Sequence, residues 1–342
     1  MKLSFADIVS VPLSGLFRTV VAIRHMLFDR RIVPSFAVDV PTICVGNIAV
    51  GGTGKTPMTA YLVSLLLANG YHPAVLSLGY KRKSRGFRLA DSNATVETIG
   101  DEAMQLHRAF PEVPIAVCKH RVKGVKQLQR QVPDLDVVIL DDAMQHRAIR
   151  CGYTILLTAY DRLYIDDHML PWGTLRDLPS RALKADMIVV TKCPDDIRPI
   201  DMRVVDNRLH LPVYQSLHFA GVTYAEMEQA GVPLVLCGIA QPQYMLSYVQ
   251  TRYPQAELMA FPDHHRYSKR DIEAILERAK HFDFVITTEK DIQRLRTTPL
   301  VERLQAQGKR LIALPIRLAF YSPQENFDRS ILHYVHENCR HT

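Results

Sequence analysis

The stretch that most constrains the fold is Val45-Gly46-Asn47-Ile48-Ala49-Val50-Gly51-Gly52-Thr53-Gly54-Lys55-Thr56. A short apolar run, a glycine-rich turn with Lys-Thr and an apolar-periodic segment follow one another in the order strand, loop, helix. A phosphate-binding P-loop requires that order. Its glycines let backbone N–H groups close on an anion, Lys55 reaches the β- and γ-phosphates, and the Thr56 hydroxyl is placed for Mg²⁺. The strict pattern G-x-x-x-x-G-K-[ST] is missed once, at Ala49. The loop still closes, because that glycine shapes the entry turn while Gly52 and Gly54 lie nearest the phosphate. Pro57 suits the first turn of the following helix, where its fixed φ and missing N–H cost nothing.

With 342 residues the chain has room for one large or two medium domains, each with its own core. An apolar fraction of 47% and a charged fraction of 23% are those of a globular protein and exclude general disorder. The formal charge of +7 points to an anionic partner: nucleotide, phospholipid surface or nucleic acid. Cys44, Cys118, Cys151, Cys193, Cys237 and Cys339 are scattered without Cys-x-x-Cys spacing, which reads as a reducing compartment and no zinc site. No unbroken apolar run reaches the length of a membrane span, and no signal-peptide pattern opens the chain, so a cytoplasmic location is expected.

Residues 1–31 differ from the rest. Leu13, Leu16, Phe17, Val20, Ile23 and Leu27 fall at helical spacing, with Ser14, Arg18, His25 and Asp29 on the opposite strip. Lys2, Arg18, Arg24, Arg30 and Arg31 make the segment basic. The spacing predicts an amphipathic helix, bracketed by Pro12 and Pro34, that either lies in a membrane interface or packs on the domain. After the P-loop, residues 58–67 read as a helix ended by Asn69-Gly70, and residues 73–78 as a buried strand, completing a βαβ unit. Gly79-Tyr-Lys-Arg-Lys-Ser-Arg-Gly-Phe-Arg88 then places five cations in ten residues at the carboxyl end of a parallel strand. Ligands bind there in open α/β sheets, though a charge run also serves as a solvated face.

Gly100-Asp101-Glu102 opens a helix, so its carboxylates sit near a positive helix end, and capping alone accounts for that placement. Arg121 follows the strand 115–118. Val137-Val-Ile-Leu-Asp141-Asp142 is an apolar strand ending in acid, the pattern a Walker B strand needs to bring a carboxylate to Mg²⁺ opposite the P-loop threonine. Further strands are readable at 153–158 and 186–191, separated by the loop Leu170-Pro-Trp-Gly-Thr-Leu-Arg-Asp177. A second apolar series begins at Leu234 and carries Phe261-Pro-Asp-His-His-Arg-Tyr267, a helix capped by Ser268, and Phe284-Val-Ile-Thr-Thr-Glu-Lys-Asp291. Adjacent histidines in extended chain face opposite ways, which argues against a metal pair at His264-His265.

Taken together, these motifs resemble one family. The loop at 46–57, Gly79-Tyr-Lys-Arg-Lys-Ser, Gly100-Asp-Glu102, Leu140-Asp-Asp-Ala-Met-Gln-His146, Leu170-Pro-Trp-Gly-Thr-Leu-Arg176, Phe261-Pro-Asp-His-His265 and Thr288-Glu-Lys-Asp291 occur in the order seen in the tetraacyldisaccharide 4′-kinases of lipid A synthesis. The resemblance spans residues 40–291, and Trp172 departs from the small residue expected there. It implies an α/β fold: a P-loop NTPase-like, mostly parallel sheet flanked by helices, with a second smaller α/β domain and an N-terminal amphipathic helix. The expected division is 1–31 membrane-interface helix, 32–215 kinase core, 216–308 smaller domain, and 309–342 return linker strand and C-terminal helix.

The resemblance further implies transfer of the ATP γ-phosphoryl group to the 4′-hydroxyl of a tetraacylated glucosamine disaccharide 1-phosphate, giving lipid IV-A. ATP is the nucleotide and Mg²⁺ the metal. The acidic glycolipid and the cytoplasmic membrane surface are the partners, with no nucleic acid and no obligate protein partner expected. The protein would then sit peripherally on the cytoplasmic face of the inner membrane. By role, Gly51, Gly52, Thr53, Gly54, Lys55 and Thr56 cradle the phosphates, and Thr56 with Asp141 or Asp142 holds Mg²⁺. Lys55 balances the migrating charge, Asp101 acts as base and His264 orients it. Arg82, Arg121 and Arg176 are candidates for phosphate, and Glu102 for the metal or sugar hydroxyls.

Two other classes of function stand beside this one. A membrane-associated P-loop switch ATPase typically carries a signature lysine where this chain has Val50. A nucleic-acid-binding protein fits the +7 charge, but aromatics interleave the basic residues only at Tyr80 and Phe87.

Overall fold

The computed structural model describes residues 5–225, 228–239 and 241–339, with side chains from residue 9. In chain order the α-helices and strands begin with α1 (Phe5–Asp29), β1 (Thr42–Gly46), α2 (Lys55–Ala68), β2 (Pro73–Ser77), β3 (Arg88–Leu89), α3 (Val96–Ile99), α4 (Asp101–Ala109) and β4 (Ile115–Val117). They continue with α5 (Arg121–Gln131), β5 (Val137–Asp141), β6 (Tyr153–Ala159), β7 (Met187–Thr191), α6 (Pro199–Leu209) and β8 (Ser216–Tyr224). Next come β9 (Pro233–Cys237), α7 (Pro242–Arg252), β10 (Glu257–Ala260), α8 (Lys269–Ala279), β11 (Phe284–Thr288), α9 (Glu289–Leu295) and α10 (Leu300–Ala306). The chain closes with β12 (Leu311–Leu314), β13 (Ile316–Phe320) and α11 (Gln324–Asn338).

Strands β1, β2, β5 and β7 are buried along their whole length, as continuous apolar runs must be when helices cover both faces of a parallel sheet. They form a nine-stranded sheet in the order β13-β8-β7-β6-β1-β5-β2-β4-β3, antiparallel only at its two edges. Helices α2, α4 and α11 pack on one face through Leu62, Leu66, Met104, Phe327 and Ile331. Helices α1, α5 and α6 cover the other through Val21, Leu128 and Val205. A smaller, wholly parallel sheet, β10-β9-β11-β12, has α8 and α10 on one side and α7 on the other.

The two sheets are joined by β8 and β13, paired antiparallel. The large sheet thus takes in residues 216–224, where the sequence reading began the smaller domain, and the smaller sheet reaches residue 314, beyond the expected 308. A run of apolar residues marks a strand but does not say which sheet it joins, so the boundary was not legible. The C-terminal helix returns to the first core, where Phe327, Ile331 and Val335 are fully buried.

Helix α1 departs from expectation at its start: it begins before Pro12, which lies inside it. Of its polar strip, Ser14 and His25 face the protein while Arg18 and Asp29 stay exposed. Ser14 and His25 are buried, with Ser14 Oγ donating to the Met169 carbonyl at 2.8 Å and His25 Nε2 2.5 Å from Asp177 Oδ1. Arg147 reaches the His25 carbonyl at 2.9 Å and Asp29 at 2.6 Å. The apolar stripe, Val9, Leu13, Leu16, Val20 and Ile23, is left exposed. Residues Val9–Asp29, with mean hydropathy 1.2, are also long and apolar enough to cross a membrane, which an unbroken-run criterion misses because Arg18, Arg24 and His25 interrupt the sequence.

Candidate active site

The P-loop connects β1, at the centre of the large sheet, to α2. Gly54 caps α2 with φ 83°, a left-handed conformation that a side chain would strain, and it offers no side-chain cap. The first-turn amides of α2 consequently have no partner within the helix, the arrangement that receives an anion. Thr191 at the end of β7 braces the loop, its Oγ1 donating to the Thr53 carbonyl at 2.9 Å. Opposite it, the Val50 N–H donates to the Thr174 carbonyl at 2.8 Å, so the Trp172 loop holds the other side.

Asn47 is the hinge of this loop, and sequence reasoning assigned it nothing. Fully buried, it donates through Nδ2 to Thr53 Oγ1 at 2.8 Å and accepts at Oδ1 from Arg176 at 2.5 Å and from Lys55 Nζ at 3.5 Å. Arg176 also forks onto Asp142, and Lys55 Nζ lies 3.9 Å from the same carboxylate. The register Val45↔Asp141 between β1 and β5 brings these acids level with the loop.

The two aspartates have opposite electrostatics. Burial, then the like charges of Glu102 and Asp142, push the Asp141 pKa up to about 7. Both of its carboxylate oxygens are buried without a hydrogen-bond partner. Burial acts on Asp142 in the same direction, but Lys55 and Arg176 outweigh it and hold that carboxyl below the usual range. An orphaned buried carboxylate level with the P-loop fits a hard divalent cation. Among the described residues no three His, Cys, Asp or Glu side chains gather as a metal cluster, so any such ion would rely on phosphate and water for its remaining ligands.

Asp101 and Glu102 open α4. Gly100 precedes them at φ 89°, and a Cβ there would lie 3.0 Å from the Tyr80 carbonyl, so only glycine lets the 79–80 loop come this close. Asp101 is buried, and His264 of the smaller domain meets it, Nδ1 to Oδ2 at 2.8 Å. Burial alone would raise the Asp101 pKa. The His264 hydrogen bond with Lys290 and Arg294 reverses that, holding it below the usual range. Lys290 Nζ stands 3.0 Å from His264 Nε2 and 3.5 Å from both Glu102 and Asp263. The Tyr80 ring meets the His264 ring edge-on at 5.1 Å. A buried pair, Asp291 and Arg294 at 2.7 Å, fixes the histidine loop, since Arg294 donates to the His265 carbonyl at 3.1 Å. The two adjacent imidazoles diverge, His265 pairing with Asp271 at 3.0 Å.

The structure therefore gathers Lys55, Asp142 and Arg176 into one cluster and Asp101, Glu102 and His264 into another. The electrostatic reach of Glu102 to Asp141 joins the two. Two expected phosphate ligands are otherwise engaged. Arg121 is buried and donates to the carbonyls of Cys118 and Asp141 at 3.0 and 2.8 Å. Arg82 donates to the Gly86 carbonyl at 2.6 Å and to Ser84 Oγ at 3.2 Å, bracing its own loop. Lys290 and Arg294 were missed as site residues, although Lys290 stands inside the quoted segment Thr288-Glu-Lys-Asp291.

With this geometry in hand, the profile of the tetraacyldisaccharide-1-P 4′-kinase family matches residues 6–336. The chain belongs to that family. It is 42% identical over 340 residues to a tetraacyldisaccharide 4′-kinase of Flavobacterium johnsoniae, covering 96% of both chains. It is 41% identical over 361 residues to one of Bacteroides thetaiotaomicron, covering 97% of this chain and 94% of that one. Its fold is similar to that of LpxK from Aquifex aeolicus in a crystal structure with ATP, with a TM-score of 0.71 and 22% identity, covering 95% and 98% of the two chains.

Proposed function

We infer that this chain is a kinase of lipid A synthesis that moves the ATP γ-phosphoryl group to the 4′-hydroxyl of a tetraacylated glucosamine disaccharide 1-phosphate. Family membership over nearly the whole chain supports the reaction, and one observation carries the mechanism: a buried carboxylate of the first domain held by a histidine of the second, beside a P-loop. Phosphoryl transfer has a loose, charge-dispersed transition state, so positioning and electrostatics outweigh base strength. Asp101 would take the acceptor proton, with His264 orienting it. The amides of Gly51, Gly52, Thr53 and Gly54 together with Lys55 and Thr56 would hold the phosphates, and Lys55 would offset the migrating charge.

Thr56 and the unpartnered Asp141 carboxylate fit Mg²⁺, with Asp142 kept in place by Arg176 and Lys55. The ion, when bound, neutralises charge on the phosphate oxygens. Glu102, paired with Lys290 beside His264, would guide the glycolipid, and Arg121 would act by holding the ends of β4 and β5 together through the Cys118 and Asp141 carbonyls. Arg82 would act by shaping the 79–88 loop. The exposed stripe of α1 would lie in the membrane interface on the cytoplasmic face, with the exposed Arg18 against anionic headgroups.

The test is transfer of γ-labelled phosphate from Mg-ATP to a tetraacyldisaccharide 1-phosphate in mixed micelles. Label in the lipid is the expected result. No lipid labelling, with ATP hydrolysis stimulated by bare liposomes, would overturn the kinase reading in favour of a switch ATPase.

A further inference from the structure

Among the described residues, Lys290 is the one cation that touches both His264 and Glu102, and its geometry determines where the histidine carries its proton. A lysine ammonium has three donors and no acceptor. Its Nζ lies 3.0 Å from His264 Nε2, so that nitrogen must present a lone pair. In the neutral ring the hydrogen then sits on Nδ1, 2.8 Å from Asp101 Oδ2, where it donates to the carboxylate. A neutral imidazole has one donor and one acceptor nitrogen, and here both are assigned by their neighbours.

Asp263 would draw a proton to Nε2, but from 3.8 Å, whereas Lys290 is nearer at 3.0 Å. The ring is faced by Asp101 and Glu102 from α4, by Lys290 and Arg294 from α9, by Asp263 of its own loop, 3.8 Å from Nε2, and by the Tyr80 ring. Asp101 Oδ1 already accepts from the Glu102 N–H at 3.0 Å, and Arg294 Nε stands 3.7 Å from Oδ2. Lys290 itself is held between Glu102 and Asp263, both 3.5 Å away, so the ammonium is fixed from both domains.

We propose that Lys290 is a positioning residue for the transfer reaction: it locks His264 in the Nδ1–H tautomer, making the histidine a hydrogen-bond donor that orients Asp101 rather than a relay that removes its proton. Lys290 and His264 both belong to the smaller domain, so the lock is set within it, and the Nδ1–H it leaves reaches Asp101 where α9 stands against α4 of the larger domain. This rests on the reading of Asp101 as the base. The tautomer itself does not.

The experiment uses the full-length chain with ¹³C,¹⁵N-labelled histidine, read by imidazole nitrogen and Cδ2 shifts, with His264→Gln assigning the signal. The expected result is the Nδ1–H tautomer in the parent. Lys290→Met should move the signal away from the pure Nδ1–H form and lower kcat roughly 10- to 100-fold, with KM for ATP within about threefold. Lys290→Arg, which keeps a donor at this place, should restore the Nδ1–H signal and part of the rate. An Nε2–H signal in the parent overturns the proposal without touching the kinase reading, and so does a Lys290→Met signal identical to the parent's. Should Lys290→Met not fold, the parent signal and the arginine variant still decide. A parent-like rate in Asp101→Asn would instead remove the base reading and leave the tautomer assignment standing.

Discussion

At the scale of single residues, identical side chains in adjacent positions do different work because their surroundings differ. Asp141 and Asp142 follow one another, yet burial and two like charges push the pKa of the first up, while Lys55 and Arg176 hold that of the second down. The pair was readable as an acid at a strand end, but the division between them depends on Arg176 and Glu102, which no local spacing reveals. Asn47 shows the same limit: its partner Arg176 lies 129 residues away. Replacing Asn47 with Ala should raise KM for ATP roughly tenfold with kcat less affected, since it removes a hydrogen bond to a charged group that holds the loop. An unchanged KM in steady-state kinetics would remove Asn47 from the nucleotide site. Away from the site, His218 is buried against the edges of Phe320 and Phe327, and burial lowers its pKa to about 4. Its folded pKa lies below the unfolded value, so the unfolded chain binds the extra proton and stability falls as pH drops from about 6.5 toward 4. Urea unfolding of the parent should lose about 2 kcal/mol more than His218→Gln between pH 7 and pH 5. Equal losses in the two proteins would contradict this.

At the scale of elements, strands β1, β2, β5, β7 and β11 were legible because a strand buried on both faces is an unbroken apolar run. Helix α1 was legible as an amphipathic helix with two fates open, a membrane interface or packing on the domain. Ser14 to Met169, His25 to Asp177 and Arg147 to Asp29 set which side faces the protein and leave the apolar stripe outward. Leu16 and Val20 are 63% and 57% exposed. Changing both to Asp should reduce co-sedimentation with anionic vesicles at least about 100-fold, given about 1.5–3 kcal/mol per aliphatic side chain transferred. Because neither side chain is buried by the protein, Tm should stay within about 2 °C. Vesicle binding equal to the parent's would show that the stripe does not meet the membrane.

At the scale of the whole molecule, two sheets linked by β8 and β13 bring residues from both ends of the chain to one place. The sequence indicated two α/β units and a C-terminal helix within 309–342, while the boundary escaped it because a strand's apolar run does not say which sheet it joins. The site sits where α4 meets α9, held by Gln105 to Glu289 at 3.3 Å and by Arg108 to Gln293. The same junction sets Asp101 against His264, 163 residues apart in sequence. That this cross-domain pair supplies the base is tested most directly by kcat for lipid phosphorylation by Asp101→Asn beside the parent. A fall of about 100- to 10,000-fold, with ATP binding by equilibrium titration unchanged, is the expected result. A parent-like kcat, or a loss traced wholly to weakened ATP binding, would contradict the account.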